Sequence, residues 1–493
     1  MMARLAMPVT AIRSALKTFK SSTAEIASQA PSWDRVLTVR DHEGALDPGR
    51  TLVIGDRGTG KSFWTAALLS SDGRKRLAAV YPRLALEKLD VALGYGSDDF
   101  TAEHPVAGEL DALLNGNYDP EAIWRAVILS SAPDGLGPKE AKSGTWEQRV
   151  AWVAADPAMR RSEFVALDRS LGAQGRRLLV IFDALDTLAA KWAGIAHLMR
   201  GLLQVSLFLR SSKSIFIKLF LRPDMADDPT LWAVGDSSKL RYDEVTLVWA
   251  RKDLYALLVQ LLANHNETRA AVAGYVKERF GVDISHRSDR FEVPEKLLQS
   301  EDEQQRFFAL IAGPFMGANA TKGRTFTWVP NHLANARGYA APRSFLYALS
   351  VAAEHSKSVS TALDVSGIQE GVRQASKIRM SELREDYRWI DAIFRPLKDM
   401  LVPVERSEVT KRWREQKVVS SVYREMATDQ SGRYLPPPRM NTRTDDPSTH
   451  AGLMETLDHL GIVETTADGR LNMPDLFRLA AGVKRKGGVR LRP

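Results

Sequence analysis

The chain has 493 residues, 44% hydrophobic and 26% charged, with a formal net charge of +8 at pH 7. This length predicts two to four domains, because a single hydrophobic core rarely serves so many residues. The absence of cysteine excludes disulfides, thiolate zinc sites and cysteine catalysis. We find no apolar run long enough to cross a bilayer, and we expect a cytoplasmic protein without membrane association.

The first 45 residues are predicted to form a helical extension. The opening stretch, MMARLAMPVTAIRSALKTFKSS, is basic and amphipathic, but it lacks the continuous apolar core of a signal peptide. A helix docked on the following domain is the favoured interpretation, and a targeting peptide is the alternative.

A phosphate-binding loop is predicted at GDRGTGKSFW, residues 55–64. The apolar run TLVI precedes it and a helical composition follows, so the GxxxxGK[ST] pattern lies between a strand and a helix, as a P-loop requires. Lys61 is expected to reach the β and γ phosphates of ATP, and the Ser62 hydroxyl is expected to bind Mg²⁺. The nucleotide-binding residues predicted here are Gly55, Gly58, Thr59, Gly60, Lys61, Ser62 and Phe63.

A second buried strand is predicted in LLVIFDALDTL, residues 178–188. Asp183 follows five apolar residues, which is the position of a Walker B carboxylate that holds Mg²⁺. The alternative is an N-cap for the next helix. Further strands are expected in SIFIKLFLRPDM, residues 214–225, and at 245–249.

This alternation of strands and helical segments predicts an α/β fold, a P-loop NTPase with a doubly wound parallel sheet. We place this core at 46–252, with a helical insertion at about 85–175. A helical lid is expected at 253–380 and a winged-helix domain with a basic tail at 381–493.

The P-loop, the FDALD segment and the strand that ends in Arg222-Pro223 together resemble the STAND branch of AAA+-related ATPases. The resemblance implies that Asp183 binds Mg²⁺, that Asp186 orients the attacking water, and that Arg222 senses the γ-phosphate. Ala184 stands directly after Asp183, where many relatives carry Glu, and this predicts slow hydrolysis.

Pro342-Arg343 opens a predicted helix and resembles the second sensor in the lid of origin-recognition-type initiators. Arg343 would then reach the nucleotide; a surface arginine in a first helical turn is the alternative. Farther on, a helix, the strand IVETT, a DG turn and the strand RLN resemble a winged helix, which binds either DNA or protein. The tail GVKRKGGVRLRP is basic enough to neutralise phosphates, or it forms a solvated end.

These features predict an ATPase with ATP and Mg²⁺ as cofactors, acting as a slow switch or assembly platform for a separate effector protein. The resemblance implies a bacterial system, of the antiphage kind, and a homo-oligomer. One alternative is an AAA+-type loader or regulator that binds duplex DNA through the winged helix and basic tail. Another is a scaffold that keeps ATP without hydrolysing it.

Overall fold

The structure is a computed structural model that describes residues 7–22, 31–97, 100–287, 289–429, 437, 439–440 and 442–486. Its centre is a parallel sheet of five strands in the order β2-β3-β4-β1-β5. The strands are β1 Leu52–Ile54, β2 Leu89–Tyr95, β3 Arg177–Phe182, β4 Ile215–Leu221 and β5 Val245–Thr246. The predicted parallel α/β fold is confirmed.

Helices cover both faces of this sheet. Leu178, Val180 and Phe182 of β3 enter one hydrophobic cluster, while Leu179 and Ile181 enter the other, as alternating side chains of a strand require. The helices up to the end of the sheet are α1 Val9–Ser22, α2 Glu43–Leu46, α3 Lys61–Leu69, α4 Ser71–Val80, α5 Ala107–Asn115, α6 Pro120–Ser130, α7 Trp146–Ala155, α8 Pro157–Ala173, α9 Trp192–Leu209, α10 Pro223–Asp227 and α11 Ser238–Arg241.

Strand β2 was not predicted, and it lies inside the range expected to be a helical insertion. It pairs with β3 at one edge of the sheet, and α5 to α8 follow it. Asp90 and Gly94 weaken its β signal in the sequence. Gly94 is needed because a Cβ there would lie 2.6 Å from the Phe182 ring.

A helical region follows the sheet in the chain. The N-terminal helix, α1, also packs in this region. Helix α1 packs on α17 of this region, and both belong to one hydrophobic cluster. The elements are α12 Arg251–Asn264, α13 Arg269–Phe280, β6 Ser285–Arg287, β7 Arg290–Glu292, α14 Glu295–Gln299, α15 Glu301–Ala312, α16 Thr325–Leu333, α17 Pro342–His355 and α18 Val365–Asp386. Helix α18 runs through the predicted boundary between 380 and 381.

The C-terminal region consists of short helices and strands. β9 and β10 pair antiparallel, and Val404 forms an antiparallel bridge to Leu471 on the other side of β10. The helix, strand and strand predicted around the DG turn occur as α22, β9 and β10, whereas the winged-helix assignment stays a prediction. The elements are α19 Ile390–Phe394, β8 Leu401–Val402, α20 Arg406–Glu415, α21 Val418–Thr428, α22 Pro447–His459, β9 Glu464–Thr465, β10 Leu471–Asn472, α23 Asp475–Ala481 and β11 Lys484–Arg485.

Helix α9 corrects one expectation from the sequence. Among the described residues it is the one helix long and apolar enough to span a membrane, whereas no such run is predicted from the sequence. More than half of it is buried, and it packs against α6 and β4. The Trp124 indole N–H donates to the Leu198 carbonyl at 2.7 Å, which fixes α9 on α6. Its apolar side chains thus supply the core of the sheet domain.

A buried lysine braces the strand that leads into the phosphate loop. Lys218 lies on β4 with no exposed surface, and its Nζ donates to the carbonyls of Asp47 and Arg50 at 2.9 and 2.8 Å. Burial lowers the pKa of Lys218 to about 7. The Lys218 side chain thus holds the turn that precedes β1.

This pKa predicts a specific pH dependence of stability. Between pH 7 and about pH 10 the unfolded chain keeps the lysine proton that the folded chain has lost, so raising the pH favours the folded state. We therefore expect the melting temperature of the wild type to rise relative to that of Lys218→Met between pH 7 and pH 9. Thermal unfolding of both proteins measures this difference. Lys213→Met, which removes an exposed lysine just before β4, is the control. A difference between wild type and Lys218→Met that does not change with pH would contradict the prediction.

Candidate functional site

The phosphate loop connects β1 to α3. Gly58 and Gly60 have φ values of 77° and 103°, in the left-handed region where a side chain is strained. Helix α3 begins at Lys61, directly after Gly60. The loop therefore curls in front of a helix N-terminus, where backbone N–H groups attract anions.

Lys61 points into this curl. Its Nζ donates to the Gly55 and Asp56 carbonyls at 2.6 and 3.1 Å. Burial lowers the pKa of Lys61, and the negative charge of Asp183 opposes this effect. The ammonium thus lies inside the loop, next to the end of β3.

Ser62 and Asp183, the two predicted magnesium ligands, are brought together. Asp183 follows β3, is 3% exposed, and accepts a hydrogen bond from the Ala184 N–H at 2.9 Å. The Ser62 hydroxyl lies near enough to affect the pKa of Asp183. Burial raises the pKa of Asp183, whereas the Ser62 hydroxyl and the charge of Lys61 act to lower it. A hydroxyl and a carboxylate are the hard oxygen donors that suit Mg²⁺.

Asp186 and Arg222, the predicted water-orienting acid and γ-phosphate sensor, are bound to each other. The Arg222 Nη1 donates to Asp186 at 2.9 Å, and its Nε and Nη2 donate to the two carboxylate oxygens of Asp224 at 3.0 and 2.6 Å. The same Nη1 also donates to Asp386 of α18 at 2.7 Å. Arg222 is buried. Its guanidinium donors are already bound to carboxylates at the place where a γ-phosphate sensor would contact a phosphate.

Arg343 and Thr59 join the phosphate loop to the segments that cover it. Arg343 lies in the first turn of α17, with its backbone nitrogen 3.5 Å from the Gly58 carbonyl. A Cβ at Gly58 would lie 2.8 Å from the Arg343 Cβ. The Thr59 carbonyl accepts a hydrogen bond from the Trp249 indole at 2.8 Å.

A cavity of about 450 Å³ opens in front of the loop. Polar residues of its lining include Lys61, Ser62, Asp183, Asp186 and Arg222, and Arg343 lies on the wall. Apolar residues of the lining include Leu37, Phe63, Ala66, Leu257, Leu261 and Leu346. The volume and this mixed lining suit a ligand that joins a phosphate chain to an apolar group.

Among the apolar residues of this lining, sequence reasoning predicted Phe63 and missed the others. Leu37 comes from the N-terminal segment whose role was open, while Leu257 and Leu261 lie four residues apart on α12. A leucine pair at this spacing is the ordinary sign of a buried helix face, so it carries no separate signal of a site.

A set of ion pairs around the loop was also missed. Arg57, in the loop itself, pairs with Glu385 at 3.1 Å and with Asp386. Arg343 lies 3.5 Å from Glu382, and all three acids belong to the last turns of α18. These contacts join residues about 40 to 330 positions apart, beyond the reach of any local pattern.

No protein-family model and no curated protein sequence matches the chain. Three solved archaeal structures resemble it distantly. The ORC2 protein of Aeropyrum pernix, in ADPNP and ADP complexes, has 14% identity and a TM-score of 0.38, over 96% of this chain and 91% of that one. A Walker-type ATPase of Pyrococcus abyssi has 14% identity and a TM-score of 0.37, over 93% and 98%. The ORC1 protein of Aeropyrum pernix, in complex with DNA, has 16% identity and a TM-score of 0.34, over 94% of each chain.

Gly58→Ala tests the contact between the phosphate loop and α17. The new methyl group is strained by the left-handed backbone and collides with Arg343, so we expect binding of a fluorescent ATP analogue to weaken by roughly tenfold. Gly135→Ala is the matched control, because Gly135 has a φ of 79° and no atom within 4 Å of an added Cβ. Equal affinity of the two variants would show that the contact does not matter for binding.

Proposed function

We propose that the protein binds ATP with magnesium in this cavity, hydrolyses it slowly, and acts as a nucleotide-dependent switch for a partner protein. One observation carries the proposal: Lys61, Ser62 and Asp183 line a single cavity together with Arg343 of α17. A bound nucleotide would therefore contact both the sheet domain and the helical region. Binding would favour the arrangement in which both contacts exist.

Ser62 and Asp183 would hold the magnesium ion together with the phosphates. No group of three or more His, Asp or Glu side chains that could hold a metal by itself occurs among the residues that the structure describes. This suits Mg²⁺ in nucleotide sites, which takes one or two protein ligands and completes its shell with phosphate oxygens and water. The ion would neutralise charge that develops on the transferred phosphate.

Slow turnover is supported by what surrounds Asp183. The next residue, Ala184, has a φ of 53°, and its side chain offers no acid to activate water. Asp186, the remaining candidate, is held by Arg222 at 2.9 Å. Orienting a water molecule would therefore require Asp186 to share or give up this ion pair.

The DNA-binding alternative finds little support on α22, the helix that a winged helix would insert into a groove. Its exposed side chains include Glu455 and Asp458, which phosphates repel. Arg439 pairs with Glu455, and the Arg439 carbonyl lies so close to Gly452 that a Cβ there would be 1.8 Å away. The helix is acidic and partly covered, which disfavours close contact with phosphates.

The basic tail falls only partly within the described residues. Lys484 pairs with Asp399 at 2.9 Å, whereas Arg490 and Arg492 lie outside the described part of the chain. The proposal also includes a separate effector protein, an antiphage role and a homo-oligomer. These three parts rest on the sequence resemblance alone.

Steady-state hydrolysis of ATP by purified protein tests the function. We expect a low, magnesium-dependent rate. Lys61→Ala should weaken nucleotide binding by about tenfold to a hundredfold, because it removes charge-assisted hydrogen bonds to phosphate. Asp183→Asn should abolish the magnesium dependence, and Lys75→Ala, which removes an exposed lysine on α4, should leave the rate unchanged.

The same assay separates the alternatives when duplex DNA is added at two salt concentrations. DNA stimulation that falls steeply with salt would support the loader. Tight binding without turnover would support the scaffold. No nucleotide binding by the wild type would overturn the proposal.

A further inference from the structure

The last turns of α18 place acidic side chains against the phosphate loop. Asp386 is 6% exposed at its side chain and accepts hydrogen bonds from Arg57 and, at 2.7 Å, from Arg222. Glu385 also binds Arg57, and Glu382 lies near Arg343. One helix end therefore neutralises three arginines that come from three different segments.

The same three arginines line the nucleotide cavity. Arg222 separates the cavity from α18, because its Nη1 donates to Asp186 on the cavity side and to Asp386 on the helix side. A triphosphate in the cavity would add negative charge next to these groups. The phosphates and the α18 carboxylates would then seek the same cations.

The carboxylates around Arg222 are not equally well held. Burial acts to raise the pKa of Asp224, but the charge and hydrogen bonds of Arg222 outweigh it and the pKa is lowered. Burial raises the pKa of Asp386, and the charges of Arg222 and Arg57 only partly offset this. Asp224 is therefore the better stabilised of these two anions beside Arg222, and Asp386 is the less well stabilised one.

We propose that Asp386, assisted by Glu382 and Glu385, competes with the terminal phosphate of a bound nucleotide for Arg57, Arg222 and Arg343. This rests on the proposed function and adds how the site is regulated. The end of α18 stays on the phosphate loop in the free and diphosphate states, and a triphosphate displaces it. Arg222 keeps Asp224 as its partner throughout.

Displacement of the end of α18 would directly affect the C-terminal region, because α18 contacts α23 there. Helix α18 packs along α23, where the Ala480 N–H donates to the Ser376 hydroxyl at 3.0 Å and Arg379 lies over the Phe477 ring. The surface formed by the end of α18 and by α23 is therefore the part of the molecule that would change between the diphosphate and triphosphate states.

The experiment compares affinities for a triphosphate and a diphosphate. Dissociation constants of AMP-PNP and ADP, both with magnesium, are measured calorimetrically for the wild type and Asp386→Asn. We expect the preference for AMP-PNP over ADP to rise roughly fivefold in the variant, the value of one net hydrogen bond. Asp391→Asn is the control, because it also removes an aspartate that pairs with an arginine. Asp391 lies just beyond α18, is exposed, and contacts Arg384 at 2.9 Å.

If Asp386 instead positions Arg222 for the phosphate, the preference falls, and an unchanged preference also overturns the proposal. Should Asp386→Asn fold poorly, Glu385→Gln removes only the more exposed acid and should shift the preference in the same direction by less. Hydrogen exchange of wild-type peptides covering residues 379–390 gives a second measurement. Exchange should rise with AMP-PNP but not with ADP, and equal exchange in both would count against displacement.

The two proposals fail in different ways. If the wild type binds neither nucleotide, the proposed function and the competition both fall. If the wild type binds both nucleotides, Lys61→Ala weakens them, and Asp386→Asn leaves the preference unchanged, only the competition falls.

Discussion

The guanidinium of Arg222 joins the parts of this molecule that surround the cavity in front of the phosphate loop. It stands at the end of β4 and binds carboxylates from three segments: Asp224 beside it, Asp186 after β3, and Asp386 at the end of α18. A buried cation is costly without partners, and carboxylates from all three segments therefore gather around it. The sheet and the helical region are thereby tied together next to the phosphate loop.

The cavity is lined by both polar and apolar residues as a result of this arrangement. Its polar lining comes from the loop and from the segments after β3 and β4, where hydrogen bonds are directional. Its apolar lining includes Leu37, Leu257 and Leu346, where burial is favourable without a preferred direction. A ligand that contacts both kinds of lining gains full affinity only while the N-terminal segment, α12 and α17 are packed against the sheet.

Helix α18 extends this coupling to the C-terminal region. Its first half packs on α17, its last turns contact the phosphate loop, and α23 lies along it. By contrast, α22 exposes the side chains of Glu455 and Asp458, and the backbone at Arg439 packs against its Gly452. A change at the phosphate loop would therefore reach α18 and α23 before it reached α22.

The phosphate loop and the central strands could be predicted from the residues themselves. Gly58 and Gly60 permit a backbone that other residues resist, and the apolar run before Asp183 makes a strand that is buried on both faces. Strand β2 escaped prediction because Asp90 and Gly94 interrupt its pattern, and Gly94 is explained only by the Phe182 ring packed against it. The sequence alone thus determined the local chemistry of the loop and the parallel sheet, since both follow from backbone preferences and from neighbours along the chain. Only the tertiary structure decided the apolar wall of the cavity and the pairing of Arg57 and Arg222 with Asp386, because contacts between residues more than 160 positions apart leave no local pattern.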